Sequence, residues 1–452
     1  MNVSFFQEML NTISERGRLL LDRSIGGGAP GATIEDLARS LLSGRGEASG
    51  VAIASSILSV YRGLEADEKL SFFQFLANDL GPDQASIAAA ARAYLDDPTQ
   101  TALSSLAGAV ESPRQEFFRR LNLAPGATAA IVAMRRDLIR VLASAPELAS
   151  VDTDSAHLLA SWFNRGFLVL KRIDWSTPAS ILEKIIEYEA VHEISGWDEL
   201  RRRLDPRDRR CYGFFHPSLV DEPLIFVEVA LTREIPGSIQ ELLSTRPEDG
   251  GPAPTTAVFY SISNCQDGLR GISFGNFLIK QVAEELAHEV PSLKTFVTLS
   301  PVPRFAAWLV RLASQEAPEF LPEEDRETLK LLEDAGWAAH AMEQERLKAV
   351  LLPLAAAYFL LAKTRRGRPV DPVARFHLGN GARLERINWL GDKSEKGLRQ
   401  SHGLMVNYLY DLKYIEKNHE AYANDGTIAA SRSVRSLLKV SEKSRALVPA
   451  GE

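Results

Sequence analysis

Two stretches of this chain carry side chains able to handle protons. Val297-Thr-Leu-Ser300-Pro301-Val-Pro303-Arg304-Phe305 places a hydroxyl just before a proline. Pro301 offers no N–H, so ladder pairing stops there and Ser300 falls at a strand end, where ligands gather in parallel and mixed sheets. Asp371–Tyr410 places His377 between Phe376 and Leu378, ahead of the turn Gly379-Asn380-Gly381, in a run that also holds Asn388, Trp389, Gly403, Asn407, Tyr408 and Tyr410. A hydroxyl beside an imidazole can hold and relay a proton near neutral pH. Taken singly, each residue reads more readily as structural: Ser300 as a cap of the following helix, His377 as a satisfied core histidine. His402, next to Gly403, is a weaker rival.

A third stretch, Val258–Val282, reads strand, polar loop with Gly268, Gly271 and Gly275, then helix from about Asn276. The glycines permit positive φ and close backbone approach. The helix start offers unpaired N–H groups to a phosphate, and Arg270 can add a bidentate contact. The segment Arg270-Gly271-Ile272-Ser273-Phe274-Gly275-Asn276 is similar to the loop with which GNAT acyltransferases bind the coenzyme A pyrophosphate, with Ser273 where a glycine is usual. A plain structural turn is the other reading. Gly271-Ile-Ser273-Phe-Gly275 also spells the G-x-S-x-G elbow of α/β-hydrolases, for which Ser273, Asp371 and His377 would supply the triad in the right order. Against it, the apolar strand ends near Ser263 and polar Asn264–Gly268 intervenes before the serine.

The elements that must position these groups fall into two regions. Residues 1 to about 155 are rich in Ala, Leu and Ser and show helical spacing over Leu70–Leu80, Ile87–Leu95, Thr101–Val110 and Thr128–Ala143, with Gly81-Pro82 as a stop. Gly26–Gly31 reads as a linker, without the Gly-Lys-Ser/Thr of a phosphate loop. No catalytic constellation lies here. Further on, strands are expected over Leu224–Thr232, Thr256–Ser263 and Lys294–Ser300. Helices are expected over Ser180–His192, Asn276–Glu289 and Arg304–Ala313, followed by two long ones over 323–345 and 346–364. The basic run Arg201–Arg203 with Arg207, Arg209 and Arg210 reads as a solvated face or, second, as a phosphate or subunit contact, and Lys363–Arg368 as the solvated end of a helix or a phosphate contact. The fold class is therefore α+β in two domains: an N-terminal all-α helical bundle over 1–160 and an α/β domain with a central mixed sheet over 161–452.

Composition narrows the function. The 452 residues are 45% hydrophobic and 25% charged with net charge −7, an ordinary globular balance that does not suggest a nucleic-acid binder. Two cysteines, Cys211 and Cys265, exclude a disulfide scaffold and a Cys-based zinc site. The N-terminal stretch, with Glu8 and Glu15, reads as neither a secretory signal nor a transit peptide, and the C-terminus lacks a Ser-Lys-Leu signal. The longest apolar run, Ala349 to Ala362, is interrupted by Pro353 and shorter than the ~20 residues that span a bilayer. A cytoplasmic protein is expected.

Phe259–Gly275, Thr298–Phe305 and Phe376–Tyr410 together resemble the malonyl-CoA decarboxylase family, over about Arg210 to Leu412. The resemblance implies a helical N-terminal oligomerisation domain, a GNAT-like catalytic domain, and conversion of malonyl-CoA to acetyl-CoA and CO2 without metal, biotin or another prosthetic group. Coenzyme A is then part of the substrate. Ser300 and His377 match the family's catalytic serine and histidine, Tyr410 a tyrosine close to the active site, Ser261 a serine of the substrate site, and Arg270–Asn276 the coenzyme A loop. Ser273 departs from eukaryotic relatives, which carry an acid there. Expected partners are malonyl-CoA and acetyl-CoA and a second copy of the chain, as homodimer or homotetramer, with no nucleic acid or membrane. The expected chemistry is enolate stabilisation with His377 as proton donor at its ordinary pKa near 6.5. A GNAT-fold acyltransferase needing an acceptor, or a non-catalytic acyl-CoA-binding module, would share the phosphate loop.

Overall fold

A computed structural model describes residues 32–43, 46–244, 251–272, 278–314, 321–334 and 336–438. The expected linker Gly26–Gly31 and the N-terminal stretch lie outside the described residues. The backbone packs as two units: Met1–Val169 with Phe215–Leu224 and Cys265–Phe274, and Leu170–Phe214 with Ile225–Asn264 and Gly275–Glu452.

The first unit is helical. Its helices include Ala66–Asn78, Gln84–Asp96, Gln100–Val110, Pro113–Leu121, Ala127–Val141 and Ala149–Trp162, and all four periodic stretches read from the sequence are among them. Local chemistry sets their ends. Asp83 accepts from Ala85 N and Ser86 N, Thr99 accepts from Ala102 N, and Pro113 opens its helix at a position that needs no N–H donor. Phe72, Phe73, Phe117 and Phe118 fill the centre with Tyr61, each phenyl group contributing roughly 1.5–3 kcal/mol by its burial. Arg114 crosses that core to Asp154 at 2.6 Å and to Leu76 O at 2.8 Å. Helices Gln84–Asp96 and Gln100–Val110 differ from the others: they pack on one another and bury no residue fully, leaving Leu95 80% exposed.

The second unit is built on an eight-stranded mixed sheet: β1 (Val169–Ile173), β2 (Arg209–Phe215), β3 (Pro223–Thr232), β4 (Thr256–Asn264), β5 (Thr295–Thr298), β6 (Ser300–Pro301), β7 (Arg383–Asn388) and β8 (Met405–Leu409). The order is β1-β2-β3-β4-β5-β8-β6, with β7 on β8. β4 lies antiparallel to β3 and parallel to β5, in the register Thr256↔Thr295 to Phe259↔Thr298. Val258, Tyr260, Val297, Leu299 and Met405 form a core cluster with Ala230, Ile239 and Leu242. This is the expected architecture, a helical region followed by a mixed sheet with helices.

Several elements differ from the sequence reading. The strand expected over 294–300 breaks at Leu299 into β5 and β6, because Ser300 and Pro301 leave β4 and pair with Val406 and Met405. The helix expected to His192 ends at Tyr188, where Glu189 folds back onto Val191 N and His192 N. The two long helices become Glu323–Leu329, two 3-10 turns, and one helix Ala341–Leu360. Asp334, accepting from Gly336 N, makes the break. Pro353 removes one helical hydrogen bond, offset by burial of Leu347, Leu351, Leu354 and Phe359. The basic run is a solvated face only in part: Arg201, Arg202 and Arg207 are exposed, but Arg203 is buried against Glu228 and Glu199, Arg209 against Asp208 and Leu242 O, and Arg210 pairs with Glu289. Lys363–Arg368 forms a turn closed by Thr364 N to Arg368 O. Among the described residues no helix is long and apolar enough to cross a membrane.

Candidate active site

The site begins where β4 and β5 part. Leu299 N donates to Phe259 O at 2.9 Å. Two residues on, Pro301 has no N–H to continue the ladder. Ser300 is thereby turned onto β8, 5% exposed, with its Oγ donating to Thr298 Oγ1 at 2.8 Å. Thr298 and Ser300 share one face because side chains alternate along a strand. Asn407 holds the strand end: its amide donates to Thr298 O at 2.8 Å and its oxygen accepts from Asn388 Nδ2 at 2.8 Å and Arg386 Nε at 3.1 Å. The asparagines conspicuous in the sequence thus fix the backbone that carries the serine.

His377 arrives on a short helix, Pro372–Gly379, rather than in a loop. Asp371 caps it by accepting from Ala374 N at 2.8 Å, and Pro372 stands at the first helical position. Gly381 makes the exit possible: its φ is +81°, and a Cβ there would fall 2.1 Å from Ile415 O. The imidazole is 3% exposed and stacks on Tyr408 at 4.6 Å between centroids. Its Nε2 lies 3.1 Å from Ser300 Oγ and its Nδ1 2.8 Å from Tyr410 OH. Tyr410 is fixed by its own N–H donating to Phe296 O at 2.8 Å.

Burial sets the protonation of this chain. Desolvation pushes His377 down to about 3 and holds the Tyr410 phenol well above its ordinary value. The imidazole is therefore neutral, and the ordinary pKa near 6.5 expected from sequence does not apply. Tyr410 keeps its proton and can give it to Nδ1. The neutral ring then carries its proton on Nε2 and donates to Ser300 Oγ, whose own O–H goes to Thr298. This polarity orients Ser300 as a hydrogen-bond donor and acceptor, not as a nucleophile whose proton a base is holding. It also removes the hydrolase alternative: Asp371 serves Ala374 N and Tyr358 OH, and Tyr410 holds the Nδ1 that a triad acid would need.

The remaining candidates are placed as follows. Ser261, on β4, is buried and donates to Glu189 at 2.7 and 2.9 Å; it is not hydrogen-bonded to Ser300 or His377. Arg270 is exposed and pairs with Asp267 at 3.1 Å. Gly271 has φ +81°, as the loop reading requires, and Ile272 N closes a turn on Leu269 O. Gly268 serves close approach instead: a Cβ there would fall 1.9 Å from Val132 O. Ser273, Phe274, Gly275 and Asn276 lie outside the described residues. His402 caps a helix in the left-handed region, and burial lowers its pKa to about 4. Cys211 and Cys265 are free and buried.

Sequence reasoning missed Thr298, Glu189 and Arg135. Thr298 was legible from the Thr-Leu-Ser alternation. Arg135 was not: it reaches Gly268 O at 2.7 Å and Arg270 O at 3.0 Å from a helix more than a hundred residues earlier. A cavity of about 220 Å³ beside the strand end is lined by His192, Pro301, Pro303, Asp392, Lys396 and Gln400, among others. Asp334, His340 and Glu343 could together reach one cation near the surface, on elements that carry none of the groups above.

A buried serine–histidine–tyrosine chain thus stands at the parting of two strands. The family model for the malonyl-CoA decarboxylase C-terminal domain matches residues 166–448, and that for the N-terminal domain residues 80–163. The chain belongs to the malonyl-CoA decarboxylase family. It is 37% identical over 420 residues to the mitochondrial malonyl-CoA decarboxylase of Anser anser anser, covering 85% of this chain and 83% of that one. Among solved structures, the malonyl-CoA decarboxylase of Rhodopseudomonas palustris matches with TM-score 0.86 and 57% identity over 89% of this chain and 98% of the other. That of Agrobacterium vitis matches with TM-score 0.85 and 57% identity over 90% and 100%.

Proposed function

We propose that malonyl-CoA loses CO2 beside Ser300 and that the enolate is protonated through His377 and Tyr410. The overall reaction, malonyl-CoA to acetyl-CoA and CO2, is that of the family. The observation that carries the mechanism is the buried chain Thr298–Ser300–His377–Tyr410, with links of 2.8, 3.1 and 2.8 Å. As the C–C bond breaks, its electron pair moves onto the thioester, and the Ser300 O–H and His377 Nε2–H, turning from Thr298 Oγ1 and Ser300 Oγ to the bound substrate, stabilise the oxygen that gains charge. The enolate carbon then takes a proton through this chain while Nδ1 takes the phenolic proton of Tyr410. When product leaves, Nε2 takes a proton from solvent and Nδ1 returns its proton to the Tyr410 oxygen, which restores the resting tautomer and the phenol. A thioester enolate is a far stronger base than a phenolate, so the transfer runs downhill.

Further parts of the proposal rest on the resemblance. Arg270–Asn276 receives the coenzyme A phosphates, and no metal, biotin or other prosthetic group takes part. Residues 1–160 form the oligomerisation domain of a homodimer or homotetramer, a reading supported by the helices Gln84–Asp96 and Gln100–Val110, which bury no residue fully within one chain. The protein works in the cytoplasm; the goose relative is named mitochondrial, so cell fractionation decides that point.

The test is malonyl-CoA alone, with chelator present, followed by CO2 and acetyl-CoA. Wild type forms both without an acceptor. His377→Ala loses roughly 100-fold or more in kcat, the scale of lost general-acid catalysis, and Ser300→Ala loses turnover while still binding coenzyme A. Full activity of His377→Ala, or a requirement for an acyl acceptor, refutes the proposal.

A further inference from the structure

Ser261 and Ser300 each lie two residues beyond the last parallel pair of β4 and β5. That pair is Phe259↔Thr298, beyond which Ser300 turns onto β8 opposite Val406. Where the strands part, a cavity of about 220 Å³ opens, lined by Ala190, Val191 and His192, which follow Glu189, and by Pro301, which follows Ser300, among others. The Ser261 hydroxyl is already committed. Glu189 receives it at 2.7 Å on Oε2 and 2.9 Å on Oε1. The same carboxylate accepts from Val191 N at 2.8 Å and His192 N at 2.7 Å, both on Oε1, and from Ser263 Oγ at 3.4 Å. Lys396 Nζ braces the loop from behind, donating to Ala190 O at 2.7 Å and Val191 O at 3.1 Å. Glu189 is 8% exposed, and every hydrogen bond described for it brings a donor to the carboxylate.

We propose that Glu189 is a positioning residue of the decarboxylase site: it draws the Ser261 proton away from the opening, so that Ser261 Oγ meets the substrate as an acceptor. This deepens the functional reading above and rests on it. An acceptor restricts which part of malonyl-CoA can lie there. The malonyl carboxylate and the thioester carry no N–H or O–H at neutral pH. The donor nearest the thioester is the amide N–H two carbons from the sulfur on the pantetheine arm. Ser261 therefore holds that amide and sets how far the thioester reaches toward Ser300. A bond to a group that does not react strengthens ground and transition states alike, so it acts on KM and leaves kcat.

Glu189→Gln tests this with little change of shape. Both backbone N–H groups point at Oε1, which the glutamine oxygen replaces. Its NH2 then takes the place of Oε2 and donates to Ser261 Oγ, turning the serine proton into the opening against the amide N–H. The expected result is a KM for malonyl-CoA, and a Kd for coenzyme A, raised roughly 10-fold or more, the scale of one buried donor left without an acceptor, with kcat changed far less. Ser261→Ala should raise KM similarly, and Glu189→Gln added to it should do nothing more. A purely structural Glu189 predicts instead a lowered Tm and equal losses in both backgrounds. Unchanged KM in folded Glu189→Gln overturns the proposal, as does a full additional loss in the Ser261→Ala background. If Glu189→Gln fails to fold, Ser261→Ala decides alone: a KM effect at retained kcat supports the acceptor role, and an unchanged KM overturns it. Failure here with His377→Ala still inactive would leave the reaction assignment standing, so the two are separable.

Discussion

Replacing Tyr410 by phenylalanine removes one oxygen from the buried chain and keeps the ring, which packs edge-on to Phe259 at 6.4 Å and to His377 at 6.0 Å. The lost oxygen stands 2.8 Å from His377 Nδ1. Without it, neither tautomer is satisfied at Nδ1: a lone pair there lacks a donor, and a proton there lacks an acceptor. The bias toward the Nε2–H form disappears, and with it the supply of a proton behind Nε2. A buried polar atom left unpaired costs about 1–3 kcal/mol, which as lost bias toward the competent tautomer corresponds to roughly 5- to 150-fold. The expectation is a fall in kcat within that range with KM little changed, since the phenol acts behind the imidazole. The assay is initial-rate formation of acetyl-CoA from malonyl-CoA, with Tm measured alongside. A folded Tyr410→Phe enzyme with wild-type kcat refutes the relay and the tautomer deduced from it. A large KM increase at constant kcat would instead place Tyr410 against the substrate.

Two further predictions concern pH and packing. His377 binds its proton near 6.5 when unfolded but only at about 3 when folded, so between those values the unfolded chain holds more protons and stability falls as pH falls, by roughly 3 kcal/mol from this group at pH 4.5. Glu228 has the opposite sign: burial raises it to about 8, so the folded chain keeps a proton the unfolded chain loses above 4.5, and stability falls as pH rises toward 8. Glu228→Gln should flatten the alkaline limb of Tm against pH and leave the acid limb; an unaltered alkaline limb refutes this. Gly268→Ala must move backbone, because its Cβ would fall 1.9 Å from Val132 O, whereas Gly271→Ala meets only an unfavourable φ of +81° in open space. Thermal melts should show the first losing clearly more stability, of order 3 kcal/mol against about 1; equal losses contradict the packing account.

The sequence made local matters legible and left distant ones hidden. The glycine with positive φ at 271 and the helices with a single apolar face follow from short-range rules and formed where expected; the Leu-Ser-Pro strand end did so only in part, since Ser300 and Pro301 cross to β8. β7 and β8 were not read as strands. Their residues, Arg383–Asn388 and Met405–Leu409, mix arginine and asparagine into the apolar run because those side chains brace β5 and β6. The buried arginines of 201–210 misled for a related reason: a run of like charges looks solvated until acids such as Glu228 and Glu289 arrive from elsewhere in the chain. For the candidate site residues, composition and spacing gave types, and the family resemblance gave the roles proposed for them. Neither could give the polarity of the hydrogen bonds, which depends on what lies behind each group.

That polarity bears on why a neutral site suits this reaction. Malonyl-CoA arrives with its charge on the carboxylate and must pass it to the thioester oxygen. An imidazolium beside Ser300 would attract the carboxylate before reaction and hold charge where it has to leave, stabilising the ground state along with the transition state. A histidine held neutral by burial, donating through Nε2, has less to gain from the carboxylate and more from an enolate oxygen placed on its donor axis. The same apolar surroundings weaken solvation of a localised carboxylate more than that of a dispersed enolate. Burial of His377 beneath Tyr408, Tyr410 and Phe376 thus sets the charge of the site as well as its shape.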